Sequence, residues 1–353
     1  MKILVLNLGS TSSKVSVFED EKEVFTKTVR HPADELTAFK VPAEQFDYRK
    51  DAIFSAVEAA GYDLSGFDGV VSRAGVVGQI AGGTYEINDA VLRDSADPQM
   101  GGRQPHGVGL RIANALKEEY GIPAFFVDPV STEELSEVAK VTGFKGMVRQ
   151  SRFHALNHKA VARKAALELG KPYEELNLVG VHTGGGITVA AHQKGRCVDI
   201  TDCSEEGTMS MDRPGGLPIN MVVDYCFKSG KSYDEIRNQL KREAGVLSYL
   251  GTTNFIEICE KKETDPEFKL IYEALAYQIA KSVGEMAAAM KFDVDGIFFT
   301  GGLVYSKEFA ALLTSYVEKI APVFVFPGEE EMLALAQGAL RVLKGEETAK
   351  EYK

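Results

Sequence analysis

Twice in 353 residues an apolar run ends in a turn of small polar residues, and the chain then resumes as a second apolar run. The first instance is Ile3-Leu4-Val5-Leu6, the turn Asn7-Leu8-Gly9-Ser10-Thr11-Ser12-Ser13-Lys14, then Val15, Val17 and Phe18. The second is Leu178 to Val181, the turn His182-Thr183-Gly184-Gly185-Gly186, then Ile187 to Ala191, about 175 residues further on. Consecutive apolar residues bounded by turn residues read as buried strands, and a Gly-containing turn between two of them as a hairpin. Two such hairpins suggest a duplication into two similar lobes, alike in topology rather than in residue identity. The length agrees, because 353 residues exceed one average domain.

Around the hairpins, strand and helix patterns alternate. Helical spacing covers 44–60, 107–120, 155–169, 267–290 and 331–344, and short apolar strands cover 67–72, 122–127 and 296–300. This alternation is the signature of an α/β sheet. We expect a first lobe of residues 1–149, joined by a returning C-terminal helix within 331–353, and a second lobe of residues 150–330. The crossover is expected near 145–154.

The formal net charge of −11 argues against non-specific nucleic-acid binding. Any phosphate site must then be built locally from Arg, Lys, backbone N–H groups and helix N-termini. Four cysteines with no C-x-x-C pair suggest reduced thiols in a cytoplasm rather than a disulfide framework or zinc site. The apolar start is too short for a signal-peptide core, and no apolar run approaches a membrane span. A cytoplasmic protein without a membrane partner is the expectation.

Hydroxyls, turn N–H groups and an ammonium all donate to phosphate oxygens. The turn from Asn7 to Lys14 carries three serines and a threonine, which suits a phosphate as well as it suits a polar hairpin. The three glycines after His182 let a backbone approach a ligand closely, and Thr300-Gly301-Gly302 repeats that feature after another strand. Arg73 ends a strand, where ligand sites of α/β sheets form. Asp128 ends another, with a helix cap as its simpler reading. Arg213 lies in Met211-Asp212-Arg213-Pro214-Gly215-Gly216, a loop with no evident apolar purpose. His106 and His154 each stand at a helix start, where an imidazole tends to be neutral and can donate to an anion. His31, His158 and His192 read as structural.

Taken in order, N-x-G-S-x-S-x-K from Asn7, Arg73, Phe126-Val127-Asp128, Phe153-His154-Ala155, His182-x-Gly184-Gly185-Gly186 and Phe299-Thr300-Gly301-Gly302 resemble the acetate and butyrate kinase family. That family belongs to the sugar kinase, Hsp70 and actin superfamily, and the resemblance covers essentially the whole chain. Ser72-Arg73-Ala74-Gly75, Ala81-Gly82-Gly83-Thr84-Tyr85 and the run from Arg152 to Lys159 are most similar to its butyrate branch. The resemblance implies two duplicated lobes of the ribonuclease H-like type with an active-site cleft between them. It implies reversible transfer of the ATP γ-phosphate to a short-chain carboxylate, giving an acyl phosphate and ADP, with Mg²⁺ and a homodimer or larger homo-oligomer.

Residue by residue, the resemblance implies that Asn7, Ser10, Ser12 and Lys14 contact phosphate. Arg73 and Arg213 would hold the carboxylate and the phosphoryl group, His106 and His154 would donate to phosphoryl oxygens, and Asp128 would sit beside the reacting centre. His182, Gly184, Gly185 and Gly186 would line the ATP phosphates, and Gly301, Gly302 and Leu303 the adenosine. Glu331, or Glu330 by an equally good alignment, would stand near the metal with Asn7. The loop Gly251-Thr252-Thr253-Asn254-Phe255-Ile256 departs from the family, with Asn254 and Ile256 where an Asp and an Arg are usual. Acetate or propionate as the acid, and a non-catalytic nucleotide-binding role, are the alternatives.

Overall fold

Residues Ile3 to Leu6 have no exposed surface, and they form the centre of β1 (Lys2–Leu8). In the computed structural model, which describes all 353 residues, β1 turns into β2 (Ser12–Glu19) and then β3 (Lys22–Arg30), all antiparallel. Helix α1 (Phe46–Glu58) leads to β4 (Gly69–Ser72), and β5 (Thr84–Glu86), α2 (His106–Tyr120) and β6 (Ala124–Val127) follow. The sheet runs β3-β2-β1-β4-β6-β5, with β4 parallel to β1 and β6 parallel to β4.

The second sheet is reached through α3 (Ala155–Leu169) and begins with the antiparallel strands β7 (Asn177–Thr183), β8 (Ile187–Gln193) and β9 (Arg196–Asp202). Helices α4 (Ile219–Lys228), α5 (Phe255–Lys261) and α6 (Pro266–Ala289) precede β10 (Gly296–Gly301). Helix α7 (Lys307–Val317) and β11 (Val323–Pro327) complete it, and α8 (Glu331–Leu343) is the last helix. This sheet runs β11-β10-β7-β8-β9, with β10 parallel to both β7 and β11.

Without β5, the two sheets share one strand order and one set of strand directions. Even the register shift recurs, between Val17 and Phe18 in β2 and between Ala191 and His192 in β8. A duplicated ribonuclease H-like α/β fold is therefore written in the topology. Each sheet is closed by a helix that follows the other sheet in the chain. Helix α3, which follows β6, packs on β7 and β10, whereas α8, which follows β11, packs on β1, β4 and β6.

The chain divides into two compact units, Met1–Glu133 with Glu330–Lys353, and Glu134–Glu329. Residues 134–149, which the sequence reading assigned to the first lobe, pack in the second. The Ser136 N–H donates to the Val198 carbonyl at 2.9 Å, and Arg149 binds Asp199 and Glu206 at 2.8 and 2.6 Å. Strands β3, β5, β9 and β11 and helices α4, α5 and α7 were not anticipated. No helix is long and apolar enough to cross a membrane.

Candidate active site

The candidate residues gather into two clusters, one in each unit. In the first, the strand pattern ends β1 at Leu8, so Gly9, Ser10 and Thr11 make the turn into β2. The Gly9 N–H donates to the Ser12 carbonyl at 2.8 Å. Beneath the turn lies Arg49 of α1, with no exposed surface. It donates to the carbonyls of Gly9, Ser10 and Ser12 at 3.0, 2.9 and 3.2 Å, to the Ser13 hydroxyl at 3.1 Å, and to Gln45 at 2.8 Å. A turn whose carbonyls are drawn inward by a buried guanidinium has the N–H groups of Ser10 and Thr11 and its outer hydroxyls left for an anion. The sequence reading missed Arg49, because its spacing on α1 looks like that of any charged helix residue.

Asn7 pairs with Lys14 across the β1–β2 register, so both side chains lie on one face. On that face the Asn7 amide donates to Glu331 Oε2 at 2.7 Å. Arg73, the residue after β4, donates to the same oxygen at 3.1 Å. Glu331 begins α8, where the helix dipole favours a carboxylate. The geometry thus brings Glu331 to Asn7 and Arg73.

His106 opens α2, and its Nδ1 is buried with no hydrogen-bond partner. Burial, with Arg73 and then Arg49 nearby, pushes its pKa down to about 3, so the ring is neutral. Asp128 is not the helix cap its position allowed. Its Oδ1 accepts from the Gly83 N–H at 2.7 Å, and its backbone holds a φ of +38°, which is strained for a non-glycine residue.

The second cluster is built on the β7–β8 hairpin. A Cβ on Gly186 would lie 2.1 Å from an Arg213 guanidinium nitrogen and 3.5 Å from His154 Cε1. Only glycine there lets the arginine and the imidazole share the turn. The Arg213 loop does have an apolar reason to exist, since Met209 and Met211 are buried in the core beneath it. Arg213 itself is poorly satisfied: its protein partners are the Cys203 sulfur at 3.7 Å and Asp212 at 3.7 Å, and its Nε is buried without a hydrogen bond. An under-satisfied, half-buried guanidinium is a site that an anion completes.

His154 stands at the start of α3 without a side-chain capping bond and stacks on His182, with ring centroids 3.9 Å apart. The His182 ring bonds Asn157 Oδ1 at 2.9 Å and approaches Glu329 at 3.2 Å. Gly184, Gly185, Gly302 and Leu303 line one cavity of about 350 Å³ with Met211, Asp212, Thr253 and Glu329. Gly301, with φ of +96°, lets β10 approach the Thr183 carbonyl, where a Cβ would come within 2.3 Å. Asn254 is spent locally, accepting from the N–H groups of Ile256 and Glu257 at 3.2 and 3.4 Å as the cap of α5.

Residues 131–322 match the acetokinase family. Over 354 aligned residues the chain is 42% identical to butyrate kinase 1 of Clostridium acetobutylicum, spanning 100% of this chain and 99% of that protein. It is also 42% identical to a probable butyrate kinase of Clostridium botulinum, over 99% of each. The chain belongs to the acetokinase family. The solved acetate kinase of Porphyromonas gingivalis superposes with a TM-score of 0.80 at 20% identity, over 97% of this chain and 99% of that one, which supports the fold. Within this family member, the candidates that the sequence scattered over 325 positions, from Asn7 to Glu331, fall into the two clusters described.

Proposed function

We propose that this acetokinase family member is a butyrate kinase, transferring the γ-phosphoryl group of ATP reversibly to the carboxylate of butyrate or a similar short acid. Full-length identity to butyrate kinases supports the reading. The observation that carries the chemistry is that each unit sets a guanidinium near an imidazole: Arg73 with neutral His106, and Arg213 with His154.

Phosphoryl transfer needs positioning and charge neutralisation more than covalent help from the protein. A carboxylate is already a nucleophile, so no base is required. Its obstacle is repulsion by the phosphate oxygens. Arg73 and Arg213 remove that repulsion, and His106 and His154 donate to phosphoryl oxygens as charge spreads in the transition state. A carboxylate oxygen forms a bond to the γ-phosphorus while the bond from that phosphorus to the β–γ bridging oxygen breaks, and ADP leaves. Asp128, fixed by Gly83, stands beside the reacting centre. Ser10, Ser12 and Lys14 receive phosphate oxygens over the turn that Arg49 anchors. His182 and Gly184 to Gly186 line the nucleotide phosphates, and Gly301, Gly302 and Leu303 the adenosine.

No group of three or more acidic, His or Cys side chains is gathered as a metal cage. Mg²⁺ suits this arrangement nonetheless, because it binds through substrate phosphates, waters and one or two carboxylates. Asn7 and Glu331 are the residues that would hold it, and when bound it would neutralise charge on the phosphates. Helix α4 exposes Ile219, Met221, Val223 and Phe227 and buries no residue, which supports a homodimer or larger assembly. The deciding experiment supplies ATP, Mg²⁺ and butyrate with hydroxylamine to trap the acyl phosphate. Hydroxamate formation is expected, and its absence with every short acid would leave a nucleotide-binding role without catalysis.

A further inference from the structure

Two of the three histidines that the sequence set aside as structural, His158 and His192, are linked to His154. From His154 Nδ1 a chain of hydrogen bonds runs inward through the second unit. Thr188 Oγ1 lies 3.0 Å from His154 Nδ1 and 3.0 Å from His158 Nε2. His158 Nδ1 lies 3.3 Å from His192 Nε2, and His192 Nδ1 lies 2.8 Å from the Tyr173 hydroxyl. His158, His192 and Thr188 are buried, and so is Tyr173. Room for the chain comes from Gly180 of β7, where a Cβ would stand 2.8 Å from His158 Nδ1. Burial pushes His158 well below its usual range and His192 down to about 3, so both rings are neutral.

A neutral imidazole donates from one nitrogen and accepts at the other, so a chain of them has only two self-consistent directions. At its inner end, His192 Nδ1 faces the Tyr173 hydroxyl and, at 3.5 Å, the Cys197 thiol. Both are protonated groups whose own lone pairs are weaker acceptors than an imidazole nitrogen. They therefore donate, and Nδ1 of His192 is the lone-pair nitrogen. Each later bond follows: His192 Nε2–H donates to His158 Nδ1, His158 Nε2–H donates to Thr188, and the Thr188 hydroxyl donates to His154 Nδ1. The proton of His154 must then sit on Nε2.

We infer that Tyr173, His192, His158 and Thr188 are positioning residues that hold His154 as its Nε2–H tautomer, so that it meets a phosphoryl oxygen as a donor. The inference rests on the proposed role of His154 in phosphoryl transfer. Reversal of the chain would turn Nε2 into a lone pair that repels the same oxygen.

The test combines ¹⁵N-histidine NMR of the full-length protein, with His154 assigned by its loss in His154→Gln, and kinetics with ATP and butyrate. The wild-type ring should show the Nε2–H pattern. Thr188→Val should shift the His154 nitrogen signals and lower kcat by about 10–100-fold with KM for ATP changed less than about threefold, the range seen when a supporting hydrogen bond to a functional imidazole is lost. Thr188→Ser should restore both. Tyr173→Phe, which deletes a single hydroxyl, should give mixed tautomers and carries the test if Thr188→Val does not fold. An Nδ1–H pattern in the wild type, or unchanged His154 signals in the folded variants, overturns the inference. A tautomer change without a change in kcat upholds the chain and instead sinks the role assigned to His154.

Discussion

Arg73 donates to the Glu331 carboxylate at 3.1 Å, joining the end of β4 to the start of α8 across 258 residues of sequence. Both side chains keep contact with solvent, at 26% and 19% exposure, so the pair contributes only modestly to stability. Its value is positional, because it aims the guanidinium. Arg73→Ala should lower kcat by roughly 10²–10⁴-fold, as loss of a transition-state charge partner does, while the melting temperature barely moves. Glu331→Gln should keep most of the fold and raise the Mg²⁺ concentration needed for half-maximal rate. A large loss of melting temperature in Arg73→Ala would make the residue structural.

Arg49 should behave in the opposite way. It is buried and supplies five hydrogen bonds, four of them to the β1–β2 turn and its flank. Arg49→Met leaves the Gly9 and Ser10 carbonyls without their donor and the Ser12 carbonyl with only the Gly9 N–H, at an expected cost of about 3–5 kcal/mol. Differential scanning calorimetry should show a clear fall in melting temperature, and KM for ATP should rise because the turn loses its shape. Arg49→Lys should recover little, since one ammonium cannot reproduce a forked set of donors.

The buried imidazoles make stability fall on acidification. His106 and His192 have folded pKa values near 3, and His158 is held well below its usual 6.5. For a base whose folded pKa is depressed, the unfolded chain takes up protons first. The stabilisation is full above about pH 6.5 and is lost as pH falls from there toward 3. Each ring adds up to about 1.4 kcal/mol per pH unit across that window. Melting temperature should be flat from pH 7 to 8 and drop steeply between 6 and 5, and His106→Asn should make the drop shallower. A flat profile down to pH 5 would mean that these rings are solvated.

The sequence revealed what periodicity and turn chemistry encode. The buried centre of β1, the fully buried β7 and the glycine turns after them were legible because a central strand shows an unbroken apolar run. Strand β3 was not, because as a mostly exposed outer strand it reads Lys22-Glu23-Val24-Phe25-Thr26-Lys27, polar on average. Strand-end Arg73 and helix-start His106 and His154 could be found from their positions. Arg49 and Thr188 could not, since one looks like a surface helix residue and the other like an ordinary strand threonine. Their roles come from partners 36 to 40 and 30 to 34 residues away, and no local pattern carries that information.

Chain length of the acid should be read by Val76 and Ile80. Val76, Val77 and Ile80 follow Arg73 in the chain, but Val77 is spent on the core, with its N–H on the Ser131 hydroxyl at 3.1 Å. Val76 and Ile80 stay partly exposed. The Val76 backbone is pinned, because Gly101 packs so close to its carbonyl that a Cβ would come within 2.3 Å. A side chain on a fixed backbone can measure its ligand. Filling the space with Val76→Phe should cost butyrate about 10-fold or more in kcat/KM and leave acetate within about threefold, since a pocket resolves single methylenes by 1–3 kcal/mol. Ile80→Ala should move the optimum toward longer or branched acids. Hydroxamate assays with acetate, propionate, butyrate and isobutyrate read both variants, and parallel losses across all four acids would place the acyl pocket elsewhere.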